Sequence, residues 1–431
     1  MGIIKSLPAR ALPLSIVLLV FNQVQASDIL GGGISVDSLV SDNSTKTALD
    51  PIEERQDFYR ANLTADYTNW LVVAAADYQF SAQKFAENSQ ADDEYVDGSA
   101  SLIFGKEQDT FGLELDHSRR MLLQSPDAIG LVENMDEREI ISAAPIVRAK
   151  IFDADILFVR GEVSQVNYLE DDEQDSRRNG ASLGWTHPVS ATDVLQLSAQ
   201  KIAVEFDQQP ESDYKLANAM LSYAVQLRKL NYRFAVGYNE TSPEAGQKEG
   251  SPAYNAELGY SSGFNNFSAA LSQQMTDSSF GDGNAYDPSN IPGGDGRTKD
   301  LELIDRKKLD VSWDTNSICA RCSFSLGTAF EYDDYLATDE TSRNLYTHAA
   351  FTYSFSQAAS VEFRVDRSKY DFDDNQTMED YLIDYFSLNY YYRFISGVDI
   401  KLFARTEDRD SDTEAGSYTE NTYGLGLGYV F

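Results

Sequence analysis

Cysteine and histidine are nearly missing, two and three residues in a chain of 431. That leaves little material for a zinc framework or a haem ligand set, and no cofactor is expected. Positive charge is also short: 35 Lys and Arg stand against 69 Asp and Glu, a formal net charge of −34. A nucleic-acid groove exchanges a basic surface for condensed counterions, so this balance excludes a generic polyanion binder. Long apolar runs are absent beyond residue 27. Nothing there approaches the ~20 apolar residues of a spanning helix, which excludes a helical membrane protein. What the chain does have is aromatic side chains, 25 Tyr and 23 Phe. Disordered acidic chains are poor in these, so a folded chain is expected.

The first residues read as a secretory signal. Lys5 and Arg10 form a basic stretch, residues 11–21 an apolar core, and Asn22-Gln23-Val24-Gln25-Ala26-Ser27 a polar end with small residues at Val24 and Ala26. The expected division is a signal peptide over 1–26 and a β-barrel domain over 27–431, starting at Ser27. Ser at that position offers no thiol for lipid attachment. Losing two cations and no acid would take the net charge from −34 to −36.

Beyond residue 27, stretches of alternating apolar and polar residues recur, the period-two pattern of a strand with two different environments. Tyr423, Leu425, Leu427, Tyr429 and Phe431 share one face, and Thr422, Gly424, Gly426 and Gly428 the other. Leu230, Tyr232, Phe234, Val236 and Tyr238 alternate in the same way with Asn231, Arg233, Ala235 and Gly237. The connections alternate too. Nine short turns, such as 261–263 and 395–397, separate ten long polar loops, at 41–53, 81–94, 119–137, 169–175, 207–212, 240–251, 276–299, 333–341, 368–379 and 407–417. Short turns on one side and long loops on the other predict a transmembrane antiparallel up-and-down β-barrel, all-β, with short turns in the periplasm. The loops and turns together delimit twenty strands, the first at 33–40. If that strand fails, about 18 remain, and an even number keeps both ends in the periplasm.

A soluble β-sandwich alternates in the same way, but its strands are typically ~5 to 6 residues, and one thin core cannot hide so many aromatics. On a barrel those aromatics contact lipid, with Tyr and Phe girdles at the interfaces. The last strand ends Tyr429-Val430-Phe431, and Tyr429 with the terminal Phe431 resembles the assembly signal of Gram-negative outer-membrane proteins. The chain also carries Ser41-Asp42-Asn43 followed by Glu54-Arg55-Gln56-Asp57-Phe58, then Arg138-Glu139-Ile140-Ile141-Ser142-Ala143-Ala144-Pro145, and Leu183-Gly184-Trp185-Thr186-His187-Pro188-Val189-Ser190. In these it resembles the outer-membrane β-barrel porins encoded beside exopolysaccharide and exosortase (PEP-CTERM) loci. The resemblance implies a passive, non-enzymatic barrel in the outer membrane of a Gram-negative bacterium, an exit for an extracellular polysaccharide. Implied partners are lipid, lipopolysaccharide, the barrel-assembly machinery and periplasmic polysaccharide-export proteins. A general diffusion porin, or a closed structural or surface-binding barrel with acidic loops, fits the same residues.

If the aromatic face meets lipid, the opposite face lines the lumen. This assigns Glu114, Asp116, Arg160, Glu162, Arg233, Glu362, Arg364, Asp366, Arg393, Lys401 and Arg405 to the interior, where they either set solute preference through the local field or pair across strands. Asp116 and His117 are adjacent in a strand and point to opposite faces, so they cannot act as orienter and base. His348 faces the lumen without a readable catalytic set around it. Cys319-Ala320-Arg321-Cys322 has redox spacing but sits on a short turn, which favours a disulfide clip in an oxidising compartment. The long loops carry acidic runs such as Asp92-Asp93-Glu94, Glu170-Asp171-Asp172-Glu173, Asp371-Phe372-Asp373-Asp374 and Glu407-Asp408-Arg409-Asp410. These read as solvated surface, or as oxygen ligands for divalent cations bridging to lipopolysaccharide. Asp282-Gly283-Asn284 lacks the acidic continuation of a calcium loop.

Overall fold

The structure is a computed structural model that describes residues 30–431 apart from 107, 108, 153, 171, 245, 280–301, 337, 339 and 374–377. The expected signal segment, Ser27, Asp171, Asp282-Gly283-Asn284, Asp374 and most of the 276–299 loop lie outside the described residues. Alternation is realised as one sheet of twenty antiparallel strands. These are β1 (Leu30–Ser41), β2 (Glu54–Thr68), β3 (Val72–Phe85), β4 (Asp93–Phe104), β5 (Phe111–Leu123), β6 (Met135–Ile151) and β7 (Asp155–Tyr168). They continue through β8 (Ser176–Pro188), β9 (Asp193–Phe206), β10 (Tyr214–Gln226), β11 (Leu230–Pro243), β12 (Glu249–Ser261) and β13 (Asn265–Asp277). The last are β14 (Leu303–Thr315), β15 (Cys322–Tyr335), β16 (Glu340–Ser354), β17 (Ala359–Phe372), β18 (Tyr381–Arg393), β19 (Val398–Ser411) and β20 (Tyr418–Val430). Each pairs with its sequence neighbour, and β1 pairs with β20 from Gly33↔Val430 to Ser41↔Thr422, closing the barrel without a free edge.

Many strands run past the ends assigned from alternation. The first occupies Leu30–Ser41 rather than 33–40, and the 119–137 loop shrinks because β5 continues to Leu123 and β6 begins at Met135. The 81–94 and 240–251 loops shorten likewise. Apolar alternation stops where lipid stops, but the backbone ladder does not. A 13-residue strand such as β20 is ~43 Å long at ~3.3 Å per residue, so even when tilted it outruns an apolar band of ~25 Å.

The outward face carries the apolar stripe: Tyr423, Leu425, Leu427 and Tyr429 are exposed, while Thr422 and Gly426 are covered. Trp70, Phe111, Phe152, Phe264, Phe355 and Phe394 ring the short-turn end, all exposed, where amphipathic rings suit a headgroup layer. Trp185 and His187 of the Gly184-Trp185-Thr186-His187 run stack at 5.6 Å and both bond Asp155, at 2.9 and 2.6 Å. Ser41-Asp42-Asn43 fastens the seam at the other end. Ser41 Oγ donates to Glu420 at 2.5 Å, Asp42 accepts from the Asn421 N–H at 2.7 Å, and Asn43 Nδ2 donates to the Thr419 carbonyl at 3.0 Å.

Candidate functional site: a lumen crossed by two hairpins

The ladder puts Glu114, Asp116, Arg160, Glu162, Arg233, Glu362, Arg364, Asp366, Arg393, Lys401 and Arg405 on the inward-facing set. Several pair. Arg160 lies 2.9 Å from Glu114, Arg393 holds Asp399 at 2.6 and 3.0 Å, and Arg364 holds Asp366 at 2.7 and 2.8 Å. Asp366 also accepts from Tyr346 Oη at 2.5 Å. Arg405 and Lys401 sit over the ring of inward Phe403, at 4.5 and 5.1 Å.

His348 also faces inward, and its Nε2 lies 3.4 Å from Ser325 Oγ, a neighbour that spacing along the chain could not show. The pair lacks an orienting group: His348 Nδ1 is buried without a hydrogen-bond partner, and Asp366 is engaged by Arg364 and Tyr346. Outside the lumen, His117 lies between Tyr78 and Glu139, on the opposite face from Asp116.

At two hairpins one strand parts from its wall neighbour and its end leans into the lumen, while the other strand stays paired with the wall. The first is the outer end of β5 and β6. The β4–β5 ladder stops at Gly98↔Arg119, whereas β5–β6 pairing continues to Leu123↔Met135. Gly98 turns the strand there with φ +151, and a Cβ on it would lie 2.2 Å from the Asp77 carbonyl. Beyond that point Met121, Leu123 and Met135 are buried against Tyr95 of the wall instead of facing out. Glu137 takes over the edge of β4, accepting the Val96 N–H at 3.1 Å and pairing with Arg119 at 2.9 Å. The hairpin tip reaches the far side. Tyr381 Oη donates to the Pro126 carbonyl at 2.7 Å, and Arg409 donates to those of Asp127 and Ala128 at 2.5 and 3.2 Å.

The second hairpin is the outer end of β13 and β14. The β12–β13 ladder stops at Tyr254↔Gln273, but β13–β14 pairing runs on to Asp277↔Leu303. Parity from Phe267 and Leu271 would aim Asp277 outward; the lean brings it against the inner wall instead. There Arg178 grips its carboxylate at 2.8 and 2.9 Å, and Tyr214 donates to it at 2.5 Å. Leu303 packs on Val204, Phe206 and Tyr214. The Ser279 carbonyl accepts from Tyr168 at 2.6 Å and from Arg138 at 3.3 Å. Arg138 belongs to β6, so the two hairpins touch. None of these tying residues was legible beforehand, because nothing in a period-two pattern marks where a strand leaves its neighbour.

Cys319 and Cys322 form a disulfide on the turn between β14 and β15. Tyr429 and Phe431 point outward, and Phe431 is fixed through its backbone N–H to the Gly32 carbonyl at 2.9 Å. In the outer loops acidic groups crowd one another. Burial first, and then the neighbouring Asp172 and Asp207 carboxylates, push Asp175 above the usual carboxylate range despite its hydrogen bond from the Tyr168 N–H. Among the described residues no group of three or more His, Cys, Asp or Glu is placed to hold a metal ion.

No family model and no curated protein matches the sequence. Solved structures do match. The siderophore receptor PirA from Acinetobacter baumannii aligns over 94% of this chain and 80% of its own at 10% identity, with a TM-score of 0.51. The outer membrane protein opdK from Pseudomonas aeruginosa aligns over 94% and 100% at 10% identity, with a TM-score of 0.41. Similarity this low in identity speaks to fold. With the closed ladder, the outward apolar stripe and the aromatic ring on the page, the chain is a 20-stranded β-barrel of the Gram-negative outer membrane.

Proposed function

We propose that this barrel is a gated, non-enzymatic conduit that passes an extracellular polysaccharide outward. One observation carries the reading. In the outer half of the lumen β5 parts from β4 beyond Arg119 and β13 parts from β12 beyond Gln273, and the ends of both hairpins are tied by side-chain contacts across the lumen while β6 and β14 stay paired with β7 and β15. Twenty strands enclose more space than wall side chains can fill, so the lumen holds water or inward-folded chain. Here it holds both. The ties made by Arg409, Tyr381, Arg178 and Tyr214 can be released from within while the β6–β7 and β14–β15 ladders keep the barrel closed. The resemblance to porins of exopolysaccharide loci supports the choice of cargo.

The test is a deletion strain beside single-channel recording. Loss of surface polysaccharide on deletion, restored by the intact gene, is the expected result. Purified barrel lacking 125–133 should conduct several times more than the intact barrel in planar bilayers. A deletion strain that keeps its polysaccharide removes the cargo and leaves a general diffusion porin. A barrel that stays silent with 125–133 and 276–299 both deleted ends the conduit reading.

A further inference from the structure

Apolar residues line the outward face of the wall, and on three neighbouring strands a basic row follows directly where they end. Leu309, Phe330 and Leu345 pair in one row across β14, β15 and β16, all three exposed. Two residues further toward the long loops, about 7 Å along the strands, the same face carries Lys307, Tyr332 and Arg343, again paired in one row. Both cations converge on the ring between them. Lys307 Nζ lies 4.9 Å and Arg343 Cζ 5.9 Å from the Tyr332 centroid.

We propose that this row binds the phosphate of an outer-leaflet lipid, a phosphorylated glycolipid whose acyl chains lie against Leu309, Phe330 and Leu345. Charge complementarity supports it. The chain is strongly acidic, at −34, and other outward cations near the long loops are taken by carboxylates. Arg177 lies 3.5 Å from Asp207, Arg367 2.6 Å from Asp384 and Lys369 2.6 Å from Asp371. Lys307 and Arg343 share a ring instead. Asp371 faces Arg343 across the ladder but is the carboxylate that Lys369 holds. Asp305 and Asp334 stand one row further out, and Asp305 feels the Lys307 charge. Position decides what kind of phosphate fits. A cation just above an apolar row meets a lipid headgroup when acyl chains cover that row, whereas a soluble anion would gain nothing from Leu309, Phe330 or Leu345. Arg343 is exposed and can fork two phosphate oxygens, while half-buried Lys307 offers a point charge. The Tyr332 hydroxyl adds a donor. Lipid binding on the outer wall is independent of what passes through the lumen.

Titration of the detergent-solubilised barrel with diphosphorylated lipid A, against lipid A stripped of its phosphates, tests the site. The phosphorylated lipid should bind at least about tenfold more tightly. Lys307→Gln combined with Arg343→Gln should weaken that binding about tenfold, and Lys307→Arg combined with Arg343→Lys should retain most of it. Removing the same charge from paired cations, by Arg177→Gln with Arg367→Gln, should leave the affinity unchanged. Where the first double variant folds poorly, Arg343→Gln alone, at an exposed position, should still weaken binding about threefold. Inorganic phosphate in about hundredfold excess should not displace the lipid. Equal binding of the two lipids, undiminished affinity in folded barrel carrying Lys307→Gln and Arg343→Gln, or an equal loss in the Arg177 and Arg367 control overturns the proposal. Displacement by inorganic phosphate overturns it too, since the row would then be a site for a free ion.

Discussion

At the scale of single residues, the glycines of β20 are shaped by their neighbours across the lumen wall. A Cβ on Gly424 would lie 2.1 Å from Phe403 Cζ, whereas one on Gly428 would find ordinary contact at 3.8 Å. Overpacking of this kind costs ~1 to 3 kcal/mol. Gly424→Ala should therefore lower the temperature at which the folded barrel converts to the slow-migrating form on a gel, and Gly428→Ala should leave it unchanged. Asp277 gives a second case. Replacing it with Ala leaves Arg178 buried beside Tyr214 with its carboxylate partner gone, a change that typically costs ~3 to 5 kcal/mol. The barrel wall should survive, because the pairing of β13 with β14 does not depend on that side chain. Limited proteolysis should find new cleavage near residue 278 in Asp277→Ala, and an unchanged digest would show that the pair does not hold the hairpin.

At the scale of elements, the inward hairpins differ from the wall in what holds them. A wall strand is fixed by two ladders; the outer ends of β5 and β13 keep one and exchange the other for side chains, while β6 and β14 stay paired on both sides almost to theirs. Elements with fewer backbone ties open locally at lower cost. Arg409→Ala and Tyr381→Phe together remove the donors to Pro126, Asp127 and Ala128 carbonyls at the tip of the first hairpin. The double variant should show more frequent and longer open events in planar bilayers, with the folded fraction unchanged. Event statistics identical to the parent would mean that the Tyr95, Met121, Leu123 and Met135 cluster alone fixes the hairpin.

At the scale of the whole molecule, closure decides whether there is a barrel at all. The β1–β20 seam satisfies what would otherwise be two open edges, and an unsatisfied backbone group in hydrocarbon costs several kcal/mol. Removing Leu30–Ser41 should abolish the heat-modifiable form and leave protease-sensitive chain. A folded, lipid-inserted product lacking that segment would show that β2 and β20 can close on each other.

Strand number, orientation and the two faces follow from the sequence itself. Period two assigns inside and outside locally, one residue at a time, and loop length distinguishes the two membrane surfaces, so Tyr423 and Gly424 are separable without any long-range contact. The sequence also places charges such as Arg364 and Asp366 inside, because an inward position follows from parity alone. Where strands leave the wall was decided only by tertiary structure. Met121, Leu123 and Asp277 fall in stretches that the sequence reads as the long loops 119–137 and 276–299, yet they extend β5 and β13 and all three are buried within the lumen. Their partners, Arg178 and Tyr95, lie 99 and 26 positions away in the chain, and no local pattern encodes a contact at that distance. A reading of alternation leaves the lumen either open or plugged, and the folded chain crosses it, since a strand's faces are fixed by its own pleat while its place in the barrel is fixed by what it packs against.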